Sequence, residues 1–277
     1  IEENGKQLLL FHNNDSSNSN TSMTPNVLPL DYLTQQNLFN DIKEEINVSK
    51  AILHAEAELA ESTDQLSDEE INDDWLYKWR NYAGEVSSDE VQSLWGKLLA
   101  GEVKKPGSFS LRTLDFLRSL SHEEALKIEK LAKFVFNGAV FRDKDFLDKE
   151  GASYGFLLEM QEIGLLSGVE TIGMTMSWGS SEGEKFSRAL VSHQRLLLVT
   201  HNDPAKTITL PAYSLTFIGK QIMSLIKTDH NENYLKIVCY KLIKDGFDVR
   251  IADVKNILPD GQILYENGIP VKLPEIA

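Results

Sequence analysis

Gly179-Ser180-Ser181-Glu182-Gly183 has the Gly-x-Ser-x-Gly spacing of a nucleophile elbow, in which a strained strand-to-helix turn exposes a serine hydroxyl. In that chemistry Ser181 attacks a carbonyl, His230 takes its proton, and Asp203 or Asp229 orients the imidazole. The elbow depends on a run of parallel strands, and no such run precedes Gly179, so a loop accounts for the letters equally well. Two short stretches, His201-Asn202-Asp203 and Asp229-His230-Asn231-Glu232, carry metal-ligating types. Neither has a histidine pair at i, i+4, and turns favour the same residues. Gly101 to Ser108 resembles a phosphate loop but lacks the Gly-Lys-Ser/Thr ending that cradles a triphosphate. These residues call for no catalytic set, no metal and no cofactor.

Composition narrows the field further. Cys239 is the single cysteine, which excludes an internal disulfide or a multi-cysteine zinc site and fits a reducing cytoplasm. No apolar run approaches the roughly 20 residues of a membrane span, and no signal-peptide pattern is present. The chain opens on Ile1 rather than methionine, so an anchor or a further domain ahead of it stays open. The net charge of −14 is uneven. Residues 1–104 hold 7 basic against 20 acidic side chains, and the remainder 21 against 22. An acidic front repels phosphate backbones, which disfavours sequence-independent nucleic-acid binding there.

The elements that would position any site are legible in outline. Residues 13–26 are polar and turn-rich and read as a flexible linker, with "KQLLLF" ahead of it as a short apolar piece. From Tyr32 to about Ser62, Leu38, Ile42, Ile46, Ser49, Leu53 and Leu59 recur at helical steps and predict a core-facing stripe. A second helix is expected from Asp73 or Asp74, with Trp75 and Trp79 on one face. Ser87-x-x-Glu90 has capping-box spacing and leads into the stripe Val91, Leu94, Trp95, Leu98 and Leu99. Pro106-Gly107 ends that helix, and Ser108 or Ser110 caps the next. Its stripe is Leu111, Leu114, Leu117 and Leu120, and Ser121-x-x-Glu124 caps a further helix running to about Phe136.

Beyond Gly138 the texture changes to "AVFRD" as a strand, "DKDFLDKEG" as a brief helix, and a helix from Ser153 to Leu166. Two β-branched runs, "RALVSHQRLLLVTH" and "KTITLPAY", flank a turn at "NDPAK", and a helix follows. This is the element order of a winged helix. Residues 232–245 predict a helix with Gly246 at its end, and "FDVRIA" predicts a strand. Turns are expected at Pro259-Asp260-Gly261 and at Asn267-Gly268, the second as a hairpin. The expected fold is mainly α with an α+β C-terminal part: a helical bundle-like region, then a winged-helix-like domain. The boundaries are a flexible segment 1–30, an acidic helical region 31–137, a winged-helix-like domain 138–230 and a small α+β piece 231–277.

The run from Asp74-Trp75 to Ala125 resembles a bacterial family known as domain of unknown function 2806. The shared pattern is Asp74-Trp75, Val86-Ser87, Glu90, Gln92, Leu94-Trp95, Leu99-Ala100-Gly101-Glu102, Pro106-Gly107-Ser108-Phe109-Ser110, Arg112-Thr113 and Ala125, with "QQNLFNDI" upstream. It covers roughly residues 33–135. The resemblance implies a bacterial cytoplasmic protein, associates some members with accessory or phage-defence genes, and carries over no catalytic residue.

The functional expectation is a non-enzymatic protein-interaction or regulatory component that self-associates or binds a protein partner. Trp75, Trp79, Glu102 and Arg112 are the candidate interaction residues; the structural alternatives are that the tryptophans fill the bundle core and that Glu102 and Arg112 pair across the Pro-Gly break. A winged-helix DNA-binding regulator is the second reading, with Arg188, Arg195 and Lys206 as its phosphate contacts. The segment that would read the groove has Glu159 and Glu162 and no lysine or arginine, the wrong charge for that task. A serine hydrolase using Ser181 is the third.

Overall fold

The computed structural model describes residues 30–61, 67–171, 174–226, 228–257 and 262–274. The expected linker, the apolar piece before it and the Pro259-Asp260-Gly261 turn lie outside the described residues. The chain divides into two compact units, Ile1–Ile42 and Lys43–Ala277.

Helix α1 spans Leu30–Ala60, a stretch free of glycine and proline. Its expected core stripe is not the face that docks. Ile46 and Leu53 are 52% and 62% exposed, while Asn47, Val48, Ala51 and Ala55 are buried. The reason is close helix approach. A β-carbon on Gly96 would lie 2.6 Å from His54 Cβ and 2.8 Å from the Ala51 carbonyl, so only small residues fit this contact. The helix therefore turns its alanine face inward and leaves its large aliphatic side chains outside. Leu33, Leu38, Phe39 and Ile42, in the first unit, are exposed as well.

Helices α2 (Asp73–Gly84), α3 (Asp89–Lys104), α4 (Leu111–Ser119) and α5 (His122–Ala132) follow at short intervals. Side-chain oxygens of Asn72, Ser88, Ser110 and Ser121 accept from backbone N–H groups in the first turns, satisfying donors that have no partner inside the helix. Ser121 and Glu124 form the full capping box. Ser88, rather than the expected Ser87, caps α3, so the Ser87–Glu90 pair is not a capping box. The α3 stripe holds at Trp95 and Leu98, whereas Val91 is exposed.

Next come β1 (Ala139–Phe141), α6 (Lys144–Lys149), α7 (Tyr154–Glu162), β2 (Leu166–Ser167) and β3 (Thr175–Trp178). Strands β4 (Phe186–Ser192), β5 (Arg195–His201) and β6 (Ile208–Leu215) precede α8 (Phe217–Leu225) and α9 (Glu232–Lys244), and β7 (Asp248–Ile257) and β8 (Ile263–Pro270) close the chain. Two antiparallel sheets result. One has the order β1-β6-β2 with β3 also on β6, and the other runs β4-β5-β7-β8. With the helices this is an α+β layout in the C-terminal part.

Three expectations change here. The hairpin about "NDPAK" does not form, because β5 and β6 belong to different sheets. "RALVSHQRLLLVTH" is itself the hairpin, turning at His193 with φ of 52°. The helix expected from Ser153 to Leu166 ends at Glu162, and Leu166 pairs with Leu215 in β2. Asn267-Gly268 is not a hairpin turn either, since both residues lie inside β8. Ile251 pairs with Ile269 and Asp253 with Glu266, so β8 carries one extra residue there, a bulge that Asn267 meets at φ of 58°.

The core of the C-terminal part gathers aromatic rings around α9. Tyr234 is fully buried, with the Phe134 and Phe136 rings edge-on at 5.5 and 6.3 Å. Cys239 lies on the same helix, and burial pushes its thiol up to about 12. It stays protonated and unreactive at neutral pH. Among the described residues no helix is long and apolar enough to cross a membrane.

Candidate functional site

The Pro-Gly break between α3 and α4 is built around a buried carboxylate. Glu102, 2% exposed, accepts from the Gly107 N–H at 2.6 Å and the Phe109 N–H at 3.0 Å. Two donors that leave the helix without a backbone partner are thus satisfied by charge-assisted bonds. Phe109 folds back onto Gly101, where a β-carbon would lie 2.6 Å from its ring. The loop then meets α8. The side-chain oxygen of Gln221 accepts from the Ser110 N–H at 3.1 Å and the Ser110 hydroxyl at 3.2 Å, as well as from the Thr113 hydroxyl. Its amide donates to the Ser108 carbonyl at 2.5 Å. Both ends of one buried side chain are used, across more than a hundred residues of sequence.

The tryptophans sit deeper. Trp75, Trp79 and Trp95 are all buried, and the Trp79 indole N–H donates to the Trp95 carbonyl at 2.9 Å. Tyr82 stands edge-on to Trp95 at 5.9 Å. Gln92 bridges from its amide to Asn47 and to the Val86 carbonyl, both at 3.1 Å, which ties α3 to α1. Of the shared sequence pattern, Trp75, Gln92, Trp95, Ala100 and Glu102 are buried, and Gln92 and Glu102 hydrogen-bond within the fold. Residues 33–148 match the model of a family described as protein of unknown function (DUF2806). The chain resembles that family over these residues. No curated protein and no solved structure matches the chain.

The DUF2806 match runs to Asp148, one residue short of the end of α6, past the motif that ends at Ala125. Of the candidate interaction residues inside it, Trp75, Trp79 and Glu102 are buried and Arg112 is exposed. Among the described residues no hydrogen bond or ion pair joins Glu102 to Arg112, because the backbone amides of Gly107 and Phe109 take the carboxylate. The other sequence-predicted residues are dispersed. Ser181 lies in an exposed loop between β3 and β4, where its hydroxyl accepts from Arg188 at 3.4 Å. Neither a parallel strand before it nor a helix after it makes an elbow. Asp203 accepts from the Ala205 N–H in its own turn, and His230 lies 3.1 Å from Glu232. Among the described residues no group of three or more His, Cys, Asp or Glu is placed to hold a metal.

All three cations expected to touch phosphate make contacts within the fold, Arg188 through the Ser181 hydroxyl. Arg195 donates to Glu232 at 2.8 Å and to Asp253, and Lys206 lies 4.5 Å from the centre of the Phe247 ring. Burial pushes the Glu232 carboxyl up, but the hydrogen bond from Arg195 and the nearby His230 outweigh it and hold the group below the usual range. Asp115, which accepts from Lys78 and Tyr82 at 2.7 Å each, is lowered by the same kind of contact. A carboxyl lowered on folding stabilises above its unfolded value and loses that contribution as pH falls through its folded one. The urea midpoint should therefore hold from neutral pH down to about 5 and decline below about 4. Asp115→Asn should shrink the decline slightly, since the pair is exposed and screened. A pH series of urea unfolding curves checks both.

One feature of the site escapes local sequence reading. A cleft of about 620 Å³ opens between α3, the Pro-Gly loop and α8, lined by Lys97, Lys104, Lys105, Lys220, Phe217 and Glu58 among others. Four lysines against one glutamate stand out in a chain of net charge −14. Lys97, Gly101 and Lys104 fall at i, i+4 and i+7 on α3, and Phe217, Lys220 and Ser224 at i, i+3 and i+7 on α8. Those spacings were the available signal, but they lie on helices more than a hundred residues apart.

Proposed function

We propose that this chain is a non-enzymatic interaction component of the bacterial cytoplasm that works as a self-associated assembly, with α1 as the pairing element. The observation that carries it is the outward face of α1. Ile46 and Leu53 are more than half exposed, and Ser49 between them continues a 3–4 spacing. At 100° per residue these positions face away from Asn47, Val48, Ala51 and Ala55, which dock the helix on its own fold. A helix with one apolar face already used and a second in water is suited to a partner helix.

A second copy suits that face by charge. With Ile46 and Leu53 at a positions, Lys43 and Lys50 fall at e and Glu45 at g. A parallel, in-register pair places Glu45 of one copy beside Lys50 of the other, whereas an antiparallel pair sets like charges together. Service in phage defence, which the family resemblance implies, is one setting for such an assembly. Sedimentation of the full chain should show a dimer that Ile46→Asp with Leu53→Asp weakens about 100-fold or more, since burying the new carboxylates is costly. A wild-type monomer at the highest accessible concentration would sink this reading.

A winged-helix reading of residues 138–230 is supported by the order β1-α6-α7-β2 after α5 and by β6 lying between β1 and β2. DNA binding by that unit is the weaker part. Glu159 on α7 is taken by Lys127 at 2.6 Å, α7 has no lysine or arginine, and Arg195 is already paired.

A further inference from the structure

We propose that the lysine-lined cleft between α3 and α8 binds a small phosphorylated ligand carrying a planar aromatic group, of the nucleoside phosphate class. Its size suits the task, since about 620 Å³ falls within the roughly 300–1,000 Å³ of small-ligand sites. Its charge suits it too. Lys97, Lys105 and Lys220 have no carboxylate within ion-pair distance among the described residues, so binding an anion need not break a native pair. An aromatic face is present at the same rim: Phe217 is 66% exposed although it is the first residue of α8 and a large apolar side chain. A stacked base would cover it, since every base presents a π-face to an aromatic ring.

The cleft's floor is held by hydrogen bonds. Glu102 and Gln221 fix the Pro-Gly loop and α8 against each other beneath it, so the lysines project from a framework that need not reorganise. This differs from a phosphate loop: side-chain ammonium groups, and no glycine-rich backbone, supply the positive charge. The surroundings decide between a short ligand and a polymer. An adjoining cavity of about 1020 Å³ shares Lys220 and Ser224 with the cleft. It shares His193 and Asp229 in turn with a third, which is lined by Glu232, Asp253 and Glu266. A polyanion continuing that way would run into carboxylates, whereas one nucleotide ends before them.

Calorimetric titration of the full chain at low salt tests this with ADP, inorganic phosphate, adenosine and a short oligothymidylate. ADP should bind, phosphate more weakly and adenosine least. Lys97→Gln with Lys220→Gln should weaken ADP about tenfold or more. Phe217→Ala should weaken ADP while leaving inorganic phosphate unchanged. All three side chains are at least partly solvent-facing, and unchanged urea midpoints will show that the variants fold. Absence of ADP binding, ADP binding that the double variant leaves intact, or tight oligothymidylate binding without ADP binding would each overturn the proposal. None of these readouts depends on α1, so the self-association reading stands or falls separately.

Discussion

Glu102→Ala should lower the unfolding free energy by about 3–5 kcal/mol, among the largest effects of any single substitution in this chain. The carboxylate is 2% exposed and accepts two backbone N–H groups, from Gly107 and Phe109. Removing it breaks two charge-assisted hydrogen bonds, each worth roughly 1.5–3 kcal/mol, and leaves the buried Phe109 amide without an acceptor. Alanine also opens space beneath Phe109, whose ring rests on Gly101. Glu102→Gln keeps one acceptor oxygen but turns an amide NH₂ toward a second donor, so it should fall between wild type and alanine. Arg112→Ala should stay within about 0.5 kcal/mol, because the side chain is exposed. Urea unfolding of the three variants gives the ranking directly. Comparably large losses in Arg112→Ala and Glu102→Ala would restore the ion pair that sequence spacing suggests.

The contrast between these two residues shows what sequence could and could not resolve. Local punctuation was legible because its physics is local. Ser121 and Glu124 satisfy each other's orphan groups within four residues, and Asn72, Ser110 and Asn231 cap helices near where turn chemistry predicts. The partner of a face was not legible. The α1 pattern names a stripe of large aliphatics, yet docking is decided by Gly96 on another helix, which admits only the alanine side. Strand pairing fails in the same way. β5 has a hairpin-like neighbour in sequence on either side, and the register with β7, about fifty residues on, is set by which faces bury Leu197, Val199 and Val249. The Asn267-Gly268 dipeptide has the backbone freedom for a turn and spends it on a bulge. The lysine cleft was hidden for a related reason: Lys97 and Lys220 line one cleft through the tertiary contact that joins Ser110 and Thr113 to Gln221, more than a hundred residues on.

Trp79→Ala should cost about 3–5 kcal/mol, the range for removing a large aromatic from a packed core. The side chain is 2% exposed, and its indole N–H donates to the Trp95 carbonyl at 2.9 Å, linking α2 to α3. Trp75 provides an internal control, since it is equally buried but its indole nitrogen has no hydrogen-bond partner among the described residues. Phenylalanine removes the N–H at both positions while keeping most of the apolar volume. At Trp79 it breaks a made bond, and at Trp75 it removes a donor that was already unsatisfied. Trp79→Phe should therefore cost about 1 kcal/mol more than Trp75→Phe. The pair also separates a core role from a recognition role. A tryptophan serving as a contact platform would leave the urea midpoint near wild type when truncated and change self-association instead. Buried side chains joined as these are should do the reverse. Midpoints should shift together with stability, while the dimerisation constant of the still-folded fraction should stay with α1.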